Sequence, residues 1–435
     1  MAGAPGSRRA IGRYALPAVF VVLVAVGLWN VRSYPLGYGY DADHHIAYAN
    51  SLLYDHRLPA YERRGETEAP PVYYATAATA TRVGIALGLG EPRRLAVALN
   101  LAFLLGTVAL VVALARLLFP GHAVLVVAAA AFSALLPVAV RSAAMFHPET
   151  LNLFLSAFAV YLTARMVVRR RFGVVAALPV AVTVGVDLLV RRGAMLTFGA
   201  IVVALGVLAI LRYGPPLRVA ASAATVVVVG VLMYLPWAVH VRNLERPPST
   251  GPENAALPVH ASYLTRIPLD TMVNEPWRPN LTNFALPTLY TDTWGDYFGA
   301  FEWVPGERVF AKRRTLRLQT VVGVVPTALV IGGWAAIAAL ALRRRRELVP
   351  VAVVPAVALA GVLWRGSHPP SPDGDLLKAS YLLVALPACA VAFGFAVDRL
   401  WPRPLLRAAL LISLGVAAVA TVRLNVWGSP LANLL

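Results

Sequence analysis

Hydrophobic and polar positions fall along this chain in long blocks, not at the two-residue period of a half-buried strand. Apolar segments run over 14–32, 72–90, 93–118, 122–145, 147–168, 172–190, 193–212, 217–240, 319–342, 348–365, 379–398 and 404–424. Most approach the ~20 residues needed to cross the hydrocarbon core of a bilayer. Inside lipid each backbone N–H and C=O needs a partner in its own segment or in a closed barrel, so runs of this length predict helices. The pattern is that of an all-α polytopic membrane protein.

Arginine placement orients the segments. Arg8, Arg9 and Arg13 put the N-terminus in the cytoplasm, and Arg169 to Arg171, Arg212 with Arg218, Arg343 to Arg346, and Arg399 with Arg403 and Arg407 mark further cytoplasmic loops. Residues 38–71 and His147 must then both lie outside, although three apolar segments separate them. One of the three cannot cross. Segment 72–90 is short, rich in Ala and Thr, and carries Arg82 near its middle, which predicts a re-entrant or surface helix. About eleven transmembrane helices remain, with the C-terminus outside. The whole of 1–435 reads as one transmembrane domain, with a first external loop at 33–71, a large one at 241–318, a shorter one at 366–378 and no soluble C-terminal domain. No internal repeat is evident.

Composition narrows the class. Of 435 residues 59% are hydrophobic and only 14% charged, more apolar surface than a soluble core can hide. The net charge of +18 is spread in short arginine clusters between apolar segments, which suits loop anchoring and lipid phosphate and argues against nucleic acid. Cys389 is the single cysteine and lies in an apolar segment, so no intrachain disulfide is possible. Trp29, Asn30, Val31 and Arg32 follow the first apolar run where a signal peptide would carry small residues, so that run is kept as a helix.

The polar chemistry sits in the external loops. In Tyr38-Gly39-Tyr40-Asp41-Ala42-Asp43-His44-His45, the acids precede Ile46, Ala49, Leu52 and Leu53, which share one helical face and predict a short interfacial amphipathic helix. Its N-terminus favours ionised carboxylates. Asp41 or Asp43 is then a candidate general base, with helix capping, above all by Asp43, as the alternative. His44 and His45 are adjacent, diverge on a helix, and predict polar contacts at the interface more readily than a metal pair. Glu66 is placed to orient a substrate hydroxyl or is a solvated loop acid. Pro70 and Pro71 set a rigid start for the next segment, and Tyr73 and Tyr74 fit an interfacial aromatic belt.

Elsewhere, His147-Pro148-Glu149 opens a helix, and Glu149 fits its first turn. Asp187, four residues before Arg191 on an apolar helix, requires a partner, for which Arg191 is the expectation. Trp294 and Tyr297 beside Asp292 and Asp296 form either a platform for a pyranose or a packing cluster. Arg191, Arg192, Arg242, Arg313 and Lys378 are the outer-face cations able to meet a phosphate, Lys378 following Asp373-Gly374-Asp375-Leu376-Leu377.

The order of hydrophobic helix, Asp41-Ala42-Asp43-His44-His45 loop and Pro70-Pro71-Val72-Tyr73-Tyr74 resembles the GT-C membrane glycosyltransferases, especially their protein-mannosyltransferase and aminoarabinose-transferase-like group. Arg242-Asn243, opening the long loop, resembles a further feature of that group. His147-Pro148-Glu149, Thr293-Trp294-Gly295-Asp296-Tyr297 and Gly374-Asp375-Leu376-Leu377-Lys378-Ala379-Ser380-Tyr381 look like motifs of a bacterial branch. The resemblance implies a GT-C-like bundle that transfers a sugar, with inversion, from a polyprenyl-phosphate carrier to an acceptor hydroxyl at the extracytoplasmic face of the plasma membrane. The acceptor is a glycan, lipid or protein. It implies Asp41 as base with His45 four residues on, although Ala42 stands where the commoner pattern has a second acid. Tyr74, His147, Glu149, Asp292, Trp294, Asp296 and Asp375 join the candidate substrate contacts. A divalent metal ion at the leaving phosphate stays open. The rival readings are a lipid-binding or flippase-like scaffold without chemistry, and a secondary transporter, which would show repeated halves and mid-membrane ionisable groups.

Overall fold

A computed structural model of the chain describes residues 5–60, 66–244, 261–299, 301, 309–367 and 377–428. Helix α1 (Pro5–Ser33) leads into the first loop, where α2 (Ala42–Asn50) runs into a π-helical turn (Ser51–Asp55) and then α3 (Val72–Ala86). There follow α4 (Arg94–Leu118), α5 (Ala123–Leu135), α6 (Pro137–Ala144), α7 (Glu149–Val168), α8 (Val174–Leu188), α9 (Ala194–Ile210) and α10 (Pro216–Arg242). Short helices α11 (Ala261–Thr265), α12 (Leu269–Asn274) and α13 (Ala285–Trp294) occupy the long loop. The chain returns through α14 (Val309–Val322), α15 (Val324–Arg343), α16 (Val349–Ser367), a 3₁₀ segment (Ala379–Ala385), α17 (Leu386–Leu400) and α18 (Pro404–Leu424).

Among the described residues eight helical stretches are long and apolar enough to span a membrane, and α5 with α6 makes a ninth if the pair is taken as one bent span. Helices α8 and α9 are shorter and apolar. These are the segments marked by hydropathy, α3 aside. Segment 122–145 is not one straight helix: Pro137 has no N–H to donate, Leu136 before it is held extended, and the axis turns by 49°.

Side-chain ties sort the helix ends onto two faces. His122 Nδ1 lies 2.8 Å from Asp398 Oδ2, Arg345 donates to the Leu118 carbonyl at 2.7 Å, and Arg346 donates to that of Leu211. These arginine-rich ends therefore share one side. On the other, Trp29 donates to the Trp427 carbonyl at 2.8 Å and Asn30 to that of Asn425 at 2.6 Å, bringing together the ends of α1 and α18. The Val72 N–H bonds the Leu189 carbonyl at 3.0 Å, and Arg94 donates to the carbonyls of Val31 and Tyr34. Both the start of α3 and the start of α4 thus sit on this second side. At 15 residues α3 is about 22 Å long, short of the hydrocarbon thickness.

The segment 379–400 is central, with 78% of its apolar window buried, against 22% for 404–423. Close approach depends on small residues: a Cβ on Gly394 would collide with the Leu125 carbonyl, and one on Gly333 with that of Ala392. Outward-facing apolar side chains such as Leu217, Val231, Leu232, Ile412 and Val419 are exposed on α10 and α18, as a lipid-facing surface requires. The chain is a multi-pass membrane protein.

Candidate active site

The first loop is anchored before it is functional. Asp41 takes a left-handed backbone (φ 53°), which Asp tolerates better than most residues, and occupies the cap position of α2. Of the two acids open to a capping role, Asp41 and not Asp43 stands at the cap position, and its carboxylate makes no capping bond. Instead Lys378 Nζ donates to Asp41 Oδ2 at 2.9 Å and lies 5.0 Å from the centre of the Tyr40 ring. Burial alone would raise the Asp41 carboxyl, but the Lys378 ammonium beside it outweighs burial and holds it below the ordinary value. Burial likewise disfavours the Lys378 charge, and the neighbouring Tyr381 and Asp41 reverse that, leaving it raised. Asp43 is exposed in the first turn of α2. Of the two acids, Asp41 is the one the fold carries to the site.

Four residues on, His45 is buried, so it is not the interfacial polar contact expected. Its Nδ1 is 2.8 Å from the Tyr74 hydroxyl, and its ring meets His147 edge-on at 4.6 Å. Tyr74 stacks on Tyr48 at 3.9 Å. Burial, reinforced by Arg191, pushes His45 down to about 3, and burial with His45 carries His147 well below its usual value. Both imidazoles are neutral.

Beside these rings opens a cavity of about 650 Å³, its polar wall formed by Glu66, Tyr74, Arg191, Arg192, Arg365 and Tyr381. Leu196, Gly361 and Val362 give it an apolar floor. Arg191 pairs with buried Glu149 at 3.0 Å and lies 3.5 Å from His147 Nε2. Burial opposes its charge, but Glu149 together with Tyr381, Glu66 and Tyr74 more than compensates and keeps the guanidinium protonated. Arg192 pairs with Glu68 at 2.8 Å. The Tyr381 ring has the Arg191 guanidinium 5.4 Å and the Arg365 guanidinium 5.5 Å from its centre. Glu66 also lines a second cavity of about 480 Å³, together with His44, Tyr48, Tyr54, Asp55 and Thr67.

Glu66, Tyr74, Arg191 and Arg192 are thus brought to one cavity, with His147, Glu149, His45, Asp41 and Lys378 beside it. Other expectations are overturned. Asp187 does not pair with Arg191: it is buried and accepts from Asn152 at 2.8 Å and Ser156 at 2.7 Å, while Arg191 turns to Glu149. Glu149 is more than a helix-start acid for the same reason. Asp292, Trp294 and Asp296 form no sugar platform, because all three are buried. Asp292 accepts from the Tyr40 hydroxyl at 3.0 Å and the Ala379 N–H at 2.7 Å, with burial pushing it up to about 6. Asp296 accepts from the Phe301 N–H at 2.9 Å, and Trp294 donates to Thr327 at 2.8 Å. Arg141 braces this cluster through the carbonyls of Gly295 and Asp292. Arg242 is exposed at the end of α10 and does not line the cavity, and Arg313 packs on the Trp277 ring. Asp375 lies outside the described residues. Arg365 is not among the candidate residues of the sequence, and Tyr381 enters there only as the last residue of the Gly374–Tyr381 motif. The signal for Arg365 is a cation ending an apolar segment, and that for Tyr381 is the motif it closes, three positions after Lys378. Among the described residues no three of His, Cys, Asp and Glu converge to hold a metal ion.

The sequence matches no family model and no curated protein. The fold does match solved structures. The Archaeoglobus fulgidus oligosaccharyltransferase, in a complex with Zn and sulfate, is 15% identical, with 95% of this chain and 53% of that one covered and a TM-score of 0.58. The archaeal oligosaccharyltransferase AglB from the same organism, with an inhibitory peptide and a dolichol-phosphate, is 14% identical over 97% and 57% of the two chains, with a TM-score of 0.54. ArnT from Cupriavidus metallidurans, bound to undecaprenyl phosphate, is 18% identical over 92% and 63%, with a TM-score of 0.52. The chain therefore spans between half and two thirds of the length of these proteins. Its fold is that of the GT-C glycosyltransferases, as the first-loop resemblance implies.

Proposed function

We propose that the protein transfers a sugar from a polyprenyl-phosphate carrier to an acceptor hydroxyl at the extracytoplasmic face of the plasma membrane, with Asp41 as general base. The observation that carries the reading is the cavity walled by Arg191, Arg192, Arg365 and Tyr381, with Tyr381 in the same short turn as Lys378, which keeps the Asp41 carboxylate ionised. An arginine-lined cavity with an apolar floor at the ends of spanning helices suits a phosphate joined to a long hydrocarbon. Two proteins of the same fold were solved with such ligands, dolichol-phosphate and undecaprenyl phosphate.

In this reaction the acceptor oxygen bonds to the anomeric carbon as the bond from that carbon to the phosphate oxygen breaks. The hydroxyl proton passes to Asp41, and polyprenyl phosphate leaves with the bonding pair, its negative charge met by guanidinium. Attack opposite the leaving group inverts the anomeric centre. A carboxylate paired with Lys378 is a weak base. It suffices because the hydroxyl becomes strongly acidic as its oxygen bonds to an oxocarbenium-like carbon. Glu66, on the wall between the two cavities, is placed to orient hydroxyls of sugar or acceptor. The arginine clusters on the opposite side support an outward-facing site.

Incubating membranes that contain the chain with radiolabelled polyprenyl-phosphate sugar tests this. Transfer of label to acceptor with release of polyprenyl phosphate is expected. Retention of all label on the carrier would instead favour a lipid-binding scaffold.

A further inference from the structure

Three guanidiniums line the large cavity, but their surroundings differ. Arg191 is paired with Glu149 at 3.0 Å, and Arg192 with Glu68 at 2.8 Å. Each is already matched by a carboxylate, and an incoming anion would have to compete with it. Arg365 has no carboxylate partner among the described residues. It stands exposed in the last turn of α16, beside exposed Trp364, and its guanidinium lies over the Tyr381 ring, 5.5 Å from the centre. Planar stacking against an aromatic face leaves the edge N–H donors free for a ligand.

Tyr381 itself belongs to a short turn that reaches the rest of the site. Lys378, three residues earlier, holds Asp41, and the Tyr381 N–H bonds the Lys378 carbonyl at 3.1 Å. The same ring carries Arg191 on its other contact, 5.4 Å away. An ordinary interfacial arginine would extend toward water or headgroups. This one is folded back over the cavity.

We infer that Arg365, stacked on Tyr381, is the residue that binds the anionic phosphate of the cavity's ligand, and that Arg191 and Arg192 serve mainly as structural ion pairs. Tyr381 is the positioning residue that sets the distance between this phosphate contact and the Lys378–Asp41 pair. The inference rests on the proposed transfer reaction for the nature of the ligand, a phosphate ester of a prenyl alcohol.

The test is equilibrium binding of radiolabelled farnesyl phosphate to the full chain in detergent, with inorganic phosphate as competitor. Arg365→Ala should weaken binding about tenfold or more, the scale of one lost charge-assisted contact. Arg365→Lys should recover part of the loss. Tyr381→Leu should weaken binding several-fold, with most of that affinity retained in Tyr381→Phe, which keeps the ring. Binding unchanged in Arg365→Ala, while the wild type binds, overturns the inference and leaves the transfer reading standing. No binding by the wild type overturns both. Inorganic phosphate bound as tightly as farnesyl phosphate marks a free-phosphate site and also overturns the inference.

Discussion

Lys378 Nζ lies 2.9 Å from Asp41 Oδ2, joining the first loop to the turn before the central helix of the bundle. The contact spans nearly the whole sequence, so it exists only once the bundle has closed. The Lys378 side chain is 14% exposed and that of Asp41 45%, which leaves the carboxylate within reach of an incoming hydroxyl while its partner stays held. The pair also fixes protonation: Lys378 overrides the effect of burial and keeps Asp41 charged.

Replacing that carboxylate should stop the reaction and spare the fold. Asp41→Asn is nearly isosteric, keeps an oxygen to accept from Lys378, and lacks only the ability to take a proton. Turnover should fall by about 100-fold or more, the usual scale for a general base, with the thermal midpoint in detergent close to wild type. Near-normal turnover by the purified variant would remove Asp41 from this role.

The ion pair predicts a pH profile. With Asp41 held below the ordinary carboxylate range, the base stays ionised throughout the neutral range, and kcat/KM should show no acid limb there. In Lys378→Met the main opposing cation is gone and burial is countered only by the smaller effects of His45 and Arg191, which raises the carboxyl relative to wild type. The acid limb should therefore move to higher pH. A profile identical to wild type would mean that Asp41 is not the titrating group.

Glu149 and Arg191 form a buried pair beside the cavity, 3.0 Å apart. Removing one partner strands the other, so Glu149→Leu should destabilise by about 3 kcal/mol. Removing both restores neutrality, and Glu149→Leu with Arg191→Leu should unfold closer to wild type than either single variant. Thermal unfolding of the three variants in detergent decides it, and simple additivity would contradict the pairing.

These residues also show where the sequence was readable. The apolar helices and the all-α fold follow from hydropathy, which acts within one segment. Partner choice does not. Asp187 and Arg191 are four residues apart, yet α8 ends at Leu188 between them, and α7 supplies Asn152 and Ser156 to the first and Glu149 to the second. Likewise Asp292, Trp294 and Asp296 look like a carbohydrate surface until α6 and the 3₁₀ segment bury them. Arg365 stands in the sequence as a cation ending an apolar segment because Tyr381, the ring it lies over, arrives from the next segment. Helix-to-helix pairing, not local pattern, decides which side chains line the cavity.

The buried histidines make stability depend on pH. His45 is held down to about 3 in the fold and titrates near 6.5 once unfolded. Between those values the unfolded chain binds more protons, so stability must fall as pH falls through that window. His147 is shifted in the same direction. The unfolding midpoint should drop steadily from pH 7 to pH 5, and His45→Phe should flatten that slope without abolishing it. An equal slope in the variant would show that His45 is protonated in the fold.

The sidedness of the site is the remaining claim that single residues can decide. Asp43 is exposed in the first turn of α2, two residues from Asp41, and Arg344 is exposed on the opposite, arginine-rich side. Cys389 is the single native cysteine, so Cys389→Ala gives a thiol-free background. In intact cells, Asp43→Cys in that background should react with a membrane-impermeant maleimide, and Arg344→Cys should react only after permeabilisation. The positive-inside rule and the grouping of helix ends require this order together. Labelling in the reverse order would put Asp41 and the arginine cavity in the cytoplasm, where a carrier-linked sugar presented on the outer leaflet cannot reach them.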